Sequence, residues 1–160
     1  MILMIDNGGW SMDPYVDVVQ TLFNYSRSQF KDLKTFFFHN TIYDFVWEDP
    51  QRRHKPQRVG DFVSWDPDTR LVIVGDASMA PYELMATDGS IHIEERSGLP
   101  SIDRLNLLVE SFPHSAWLNP TPLRLWSMTR TIGIISNIFS MFELTLEGLD
   151  QVVTHLMSRN

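Results

Sequence analysis

The chain has 160 residues, with 20 acidic and 13 basic side chains, a formal net charge of −7 and no cysteine. A charge of that sign argues against a domain built mainly to hold phosphate backbones. The missing cysteine excludes disulfides, thiolate metal sites, iron–sulfur clusters and cysteine nucleophiles. At 43% hydrophobic and 21% charged, the composition is that of a globular chain, and the length suits one domain over residues 1–160.

Met1–Ile5 is apolar but has no basic flank and meets Asp6 too early for a signal peptide. The longest apolar stretch, Ile132 to Phe142, is broken by Ser136, Asn137 and Ser140, and is far shorter than the roughly 20 residues a membrane span needs. The expected location is the cytoplasm.

In chain order, Met1–Ile5 predicts a strand buried on both faces. Pro14–Phe30 predicts a helix, with Asp13 as its cap and Pro14 in its first turn. Leu33–His39 and Thr41–Trp47 predict a strand pair meeting at His39-Asn40, and Phe36, Phe37 and Phe38 in succession require cover on both faces. Gln51–Arg58 is a basic, proline-marked stretch read as a solvated loop, or as a contact for an acidic patch on a partner or a second copy. It is too short and isolated for nucleic acid.

Val59–Trp65 predicts a short helical turn, Arg70–Val74 a buried strand, Met79–Ala86 a short helix, and Thr87–Pro100 a loop turning at Asp88-Gly89 and Ser97-Gly98. Ser101–Phe112 is an amphipathic helix, Ser115–Leu118 a strand, Leu123–Phe139 mostly helix, and Phe142–Leu144 a last strand. Thr145 then caps a helix whose stripe is Leu149, Val152, Val153, Leu156 and Met157. Buried strands that return between helices predict a layered α/β sheet, which binds ligands beyond the carboxyl ends of its strands.

Two of those strands stop at aspartate. Asp6 opens Asp6-Asn7-Gly8-Gly9-Trp10-Ser11-Met12-Asp13-Pro14-Tyr15, and Asp76 opens Asp76-Ala77-Ser78-Met79-Ala80-Pro81-Tyr82-Glu83. Each loop carries Ser-Met-x-Pro-Tyr ahead of a helix. Side by side they would join the carboxylates of Asp6 and Asp76 with the hydroxyls of Ser11 and Ser78, hard oxygen donors of the kind Mg²⁺ takes. The plainer alternative makes Asn7-Gly8-Gly9 a turn, Asp13 and Ser78 helix caps, and the two aspartates strand terminators. Of the tryptophans at 47, 65, 117 and 126, most read as core. Trp10, in a Gly-rich loop, is expected to be partly exposed and to join a contact surface with Gly8, Gly9, Met12 and Met79.

Those two loops, with Phe37-Phe38-His39-Asn40, Ser115-Ala116-Trp117-Leu118-Asn119-Pro120 and Phe142-Glu143-Leu144-Thr145-Leu146-Glu147-Gly148-Leu149, resemble the CoxE-like proteins that contain a von Willebrand factor A domain. The resemblance runs the length of the chain. It implies a Rossmann-like three-layer α/β sandwich: a mostly parallel central sheet with one antiparallel edge strand and helices on both faces. It also implies a further N-terminal helical region in the family. This chain, starting at its first strand, therefore reads as a lone domain, a short form or a truncated form.

The function implied is a protein–protein interaction module, an adaptor for a MoxR-type AAA+ ATPase in metalloenzyme maturation or complex assembly. Such domains hold Mg²⁺ or Mn²⁺ in a metal-ion-dependent adhesion site that an acidic partner residue completes. The family's first loop reads Asp-x-Ser-x-Ser. Asp6 matches its first aspartate and Asp76 the second, with Ser11 as a shifted hydroxyl and Asp13 and Ser78 as further donors. Gly8 stands where the first serine belongs, and no threonine is clearly placed, so the implied site is degenerate.

A rival reading is a small serine hydrolase using Ser11 in Gly9-Trp10-Ser11-Met12-Asp13. Asp13 breaks the small-residue rule of the nucleophile elbow, and His155 is the one late histidine after His114. A purely structural domain is the third. No nucleotide-binding glycine motif appears, the histidines lack zinc spacing, and neither haem nor a membrane partner is expected.

Overall fold

The computed structural model describes residues 1–30, 32–95 and 98–158. Seven strands form one sheet: β1 (Ile2–Asp6), β2 (Lys34–Phe38), β3 (Phe45–Trp47), β4 (Pro56–Arg58), β5 (Leu71–Val74), β6 (Ser115–Asn119) and β7 (Met141–Glu143). Their spatial order is β4-β3-β2-β1-β5-β6-β7. β2, β1, β5, β6 and β7 run parallel, and β3 and β4 complete one edge antiparallel. Five helices accompany it: α1 (Val16–Gln29), α2 (Pro81–Met85), α3 (Ser101–Ser111), α4 (Arg130–Ser136) and α5 (Leu146–Met157).

The alternation of side chains along each strand sorts the core into two layers. Ile2 and Met4 of β1, Phe36 and Phe38 of β2, and Leu71 and Ile73 of β5 face one way, against Leu105 and Leu108 of α3 and Ile132 and Ile135 of α4. Leu3, Ile5, Val72 and Val74 face the other, against Val19 and Leu22 of α1 and Val152 and Leu156 of α5. The result is the expected three-layer α/β sandwich. The phenylalanine run divides in the same way, since Phe37 packs on the second layer. Among the described residues no helix is long and apolar enough to cross a membrane.

The two related loops feed opposite layers: Met12 enters the α1 side and Met79 the α3 side. Both are buried, at 4% and 3% exposure. They anchor their loops from inside and offer no surface to a partner, contrary to the expectation from sequence. Thr145 caps α5 as expected, accepting the amide of Gly148 at 3.0 Å.

Other elements depart from the sequence reading. Asp13 caps nothing, because the chain already turns at Gly9 (φ 78) into a 3-10 turn over Trp10–Tyr15 that contains Pro14. Thr41 is not in the strand. Asn40 takes a left-handed φ of 67, and only an isolated His39–Thr41 bridge precedes β3. The segment Leu123–Phe139 splits at Thr129, which is extended between a 3-10 turn and α4. Pro56–Arg58, read as loop, pairs as the edge strand β4. An edge tolerates proline and charge because one row of its backbone groups faces solvent, so hydrophobic alternation is no guide there. The expected turn at Ser97 lies outside the described residues.

Two helical glycines, Gly133 and Gly148, have opposite roles. A Cβ at Gly148 would lie 1.7 Å from the Glu143 carbonyl oxygen, where α5 folds tightly back on β7, whereas one at Gly133 in α4 meets nothing within 4 Å. Gly148→Ala should destabilise the domain by about 3 kcal/mol through overpacking against backbone. Gly133→Ala should stabilise it by about 0.5–1 kcal/mol. Urea denaturation of the two variants checks both signs.

Candidate functional site

From β1 the chain crosses to β2 on one side, and it later returns to β5 on the other. The loops after β1 and β5 therefore part at the carboxyl end of the sheet, the position where open α/β sheets form a ligand crevice. Asp6 ends β1, and Asp76 follows β5 by two residues. The structure thus brings the two predicted aspartates together, and both are buried, at 2% and 3% exposure.

Asp6 Oδ1 accepts the amides of Gly8 (3.2 Å) and Asn40 (3.0 Å). Burial raises its pKa from 3.8 to about 7, against the lowering effect of the Asn40 amide; the Asp76 charge adds to the rise, and the Gly8 amide and Arg52 oppose it. Asp76 Oδ1 accepts the Ser78 amide at 3.1 Å. Gly75 permits the close approach of the two loops, because a Cβ there would sit 3.2 Å from Asp6 Cβ. The second loop is held from below: Trp117 Nε1 donates to the Gly75 carbonyl (2.8 Å), Asn119 Nδ2 to that of Asp76 (2.9 Å) and Thr131 Oγ1 to that of Ala77 (2.7 Å). Ala77 is fixed at φ 56, a left-handed conformation that such surroundings impose.

The other predicted residues scatter. Ser11 is half-buried in the 3-10 turn, and Asp13 and Ser78 are exposed. Trp10 is 86% exposed, more than its sequence context implied. Gly9 is exposed beside it, whereas Gly8 is buried. A Cβ at Gly8 would fall 2.0 Å from His39 Cδ2, so the His39 ring occupies the space a side chain would need. This explains the glycine: a serine at position 8 and histidine at 39 cannot coexist in this geometry. Thr41 points its hydroxyl at Ser101 Oγ (2.6 Å), inside the protein. His155 is bonded to the Ser115 carbonyl (3.0 Å), at the start of β6 and so at the opposite end of the sheet from Ser11.

For a divalent ion the donor set fits only in part. Two carboxylates converge, but one oxygen of each already accepts backbone amides, and the hydroxyls at Gly8 and Thr41 that would complete an oxygen shell are absent or turned away. Among the described residues no group of three or more histidine or acidic side chains is placed to hold a metal.

A cleft of about 370 Å³ adjoins the crevice, and sequence reasoning did not assemble it. Its walls include His39, Tyr43, Trp47, Arg52, His92 and Glu95. The His39 and His92 rings meet edge to face, 5.1 Å between centroids. Burial lowers the His39 pKa below that of an ordinary imidazole, helped by Arg52 and His92. Burial also raises the Glu95 carboxyl, which accepts the Ser90 hydroxyl at 3.1 Å. These residues come from two stretches, 39–53 and 92–95, and nothing in their spacing announces the cleft. No family model, curated protein or solved structure matches this chain.

The Asp6 pKa has a consequence for stability. Unfolded, Asp6 loses its proton near pH 3.8; folded, it keeps it to about 7. Over that interval the folded state binds more protons, so this group's contribution to stability falls as pH rises. Asp6→Asn keeps an acceptor oxygen for both amides and removes the charge. It should stabilise the protein relative to wild type at pH 8, with a ceiling of about 4 kcal/mol. Near pH 4 the difference should all but vanish. Urea midpoints at the two pH values measure this.

Proposed function

We propose that this domain is a protein–protein interaction module of the von Willebrand A type, resembling the CoxE-like proteins, and that it works as an adaptor for a MoxR-type AAA+ ATPase in metalloenzyme maturation or complex assembly. The observation that carries the reading is the character of the sheet's carboxyl end. The segments that follow the parallel strands β1, β5, β6 and β7 each show solvent a large apolar side chain: Trp10 (86% exposed), Tyr82 (52%), Leu123 (59%) and Leu146 (88%). Exposed apolar groups that follow strand ends, two of which lead into the buried carboxylates, suit contact with another protein. The contact residues are Trp10 and Gly9, with Met12 and Met79 supporting them from the core.

The ion belongs to the same reading as a degenerate adhesion site, with Asp6 and Asp76 as its ligands and Ser11, Asp13 and Ser78 as the nearest further oxygens. When bound, Mg²⁺ or Mn²⁺ would present a positive charge to a partner carboxylate. Calorimetry with both ions on the wild type and on Asp6→Ala tests it. Heat that disappears in the variant establishes the ion, and no heat with either means the face works without one.

The hydrolase alternative using Ser11 has less support, since the late histidine lies at the other end of the sheet. The purely structural alternative leaves the exposed rim without a role. Trp10 separates the interaction reading from both. Affinity enrichment from cells of the source organism should recover an AAA+ ATPase with the wild type, and at least tenfold less with Trp10→Ala. Because Trp10 is so exposed, the variant should keep its stability to within about 0.5 kcal/mol. Equal recovery with both would sink the reading.

A further inference from the structure

Asn7-Gly8 is the one asparaginyl-glycyl pair in the chain. Such a pair is chemically labile, because glycine puts no side chain in the way of its own amide nitrogen as that atom attacks the preceding carboxamide. Gly8 N bonds to Asn7 Cγ, the Cγ–Nδ2 bond breaks, and ammonia leaves carrying the hydrogen of the Gly8 amide. Water then opens the cyclic imide at either carbonyl, leaving aspartate or isoaspartate at position 7.

The fold engages each participant in that reaction elsewhere. The Asn7 amide donates to the Phe38 carbonyl (3.1 Å), which fixes the main chain just past β1. The Gly8 amide, the nucleophile, is buried and donates to Asp6 Oδ1 at 3.2 Å. The His39 ring occupies the space of a Gly8 Cβ, which leaves Gly8 little room to turn. The Asn7 carboxamide is exposed, yet the turn between β3 and β4 holds it at both ends. Its Nδ2 donates to the Pro50 carbonyl (2.7 Å) and its Oδ1 accepts from Arg52 Nη1, partners 43 and 45 residues away in sequence. The turn is itself braced. The Asp49 carbonyl accepts the Arg52 amide (3.0 Å), and the Asp49 carboxylate accepts those of Arg53 (3.0 Å) and His54 (2.8 Å). Within this frame Arg52 keeps a left-handed φ of 54, which persists only where the surroundings fix it.

We propose that Asn7 is a site of deamidation built into the Asp6 loop, and that the turn between β3 and β4, through Arg52 and the Pro50 carbonyl, restrains its rate. This holds whether or not the domain is an interaction module. Reaction proceeds from the fraction of molecules in which the turn has released the carboxamide and the Gly8 amide has left Asp6. A guanidinium on a carbonyl oxygen also polarises it toward attack, but that contact exists only while the Gly8 amide is still bonded to Asp6. Either product replaces the Nδ2 donor with an acceptor oxygen facing the Pro50 carbonyl, and adds a negative charge beside Asp6. Isoaspartate also lengthens the main chain by one carbon between Asp6 and Gly8. The change is one-way, and it falls on the loop that carries the buried carboxylate.

The test incubates the whole folded chain at pH 8 and follows the aspartyl and isoaspartyl forms at position 7 by peptide mapping with mass spectrometry. The urea-unfolded chain in the same buffer is the unrestrained reference. There position 7 should react first among the asparagines, and in the folded chain roughly tenfold or more slowly. Arg52→Gln should speed the folded reaction about three- to tenfold, the range that one lost hydrogen bond allows. Arg52→Lys should speed it less. Asp49→Ala loosens the turn without touching Asn7; it should speed the reaction as well, and it decides the matter if Arg52→Gln does not fold. An unchanged amide spectrum of the sheet verifies that each variant is folded. Reaction of the folded wild type as fast as the unfolded chain, or another asparagine reacting first, would overturn the proposal. So would an equal or slower reaction in folded Arg52→Gln, the slower case showing that Arg52 activates the carboxamide instead of restraining it.

Discussion

A carboxylate held almost out of water at the end of the central strand organises this molecule. Moving the charge of Asp6 from water into the protein is unfavourable, and the Gly8 and Asn40 amides offset part of the cost. Asn40 meets that demand with a left-handed backbone, which asparagine tolerates better than most residues. The turn at Asn40 ends β2 immediately past Phe38 and sets His39 over Gly8. One buried group therefore dictates how two neighbouring parallel strands finish. A second carboxylate, that of Asp76 just past the next strand, makes the charge harder still to keep. Structure so disposed around a group that lowers stability at neutral pH is typical of a site rather than a core.

The sheet makes this arrangement tolerable. Packing on both faces fixes β1, β5 and β6 in register, so the loops after them start from rigid points. The side chains of Trp117 and Asn119 on β6 reach back to the carbonyls of Gly75 and Asp76. The conformation of the second aspartate loop is thereby tied to the strand beyond it. Strain at Ala77 and burial at Asp6 can persist because neither loop can relax without disturbing strands that carry most of the apolar contact.

What could be read from sequence follows from which signals are local. Met1–Ile5, Arg70–Val74 and Ser115–Leu118 were legible as strands because continuous apolar runs identify segments covered on both faces, and the amphipathic stripes of α3 and α5 were equally plain. The pairing of Asp6 with Asp76 was legible as well, since strand ends at a switch point are a topological inference. Burial of Met12 and Met79 was not. Their loops read as surface, and only the two-layer packing shows a methionine plugging each one from within. The edge strand β4 carries no hydrophobic signal. The cleft escaped for a different reason: His39, Tyr43 and Arg52 share one stretch of chain, but only the fold brings His92 to them.

Gly8, His39 and Arg52 bear on one another. With a glycine at 8, the space beside Asp6 is open to a ring, and His39 fills it with an imidazole whose charged form burial disfavours. An imidazole nitrogen suits a hard ion such as Mg²⁺ less well than a hydroxyl oxygen does. The nearby positive charge comes from Arg52, whose turn is bonded to both ends of the Asn7 side chain. A guanidinium differs from a bound ion in being covalently tethered, permanently charged and independent of ion concentration. A glycine, an imidazole and a tethered guanidinium thus stand around Asp6 where further oxygen donors would be needed to complete a site for a hard ion.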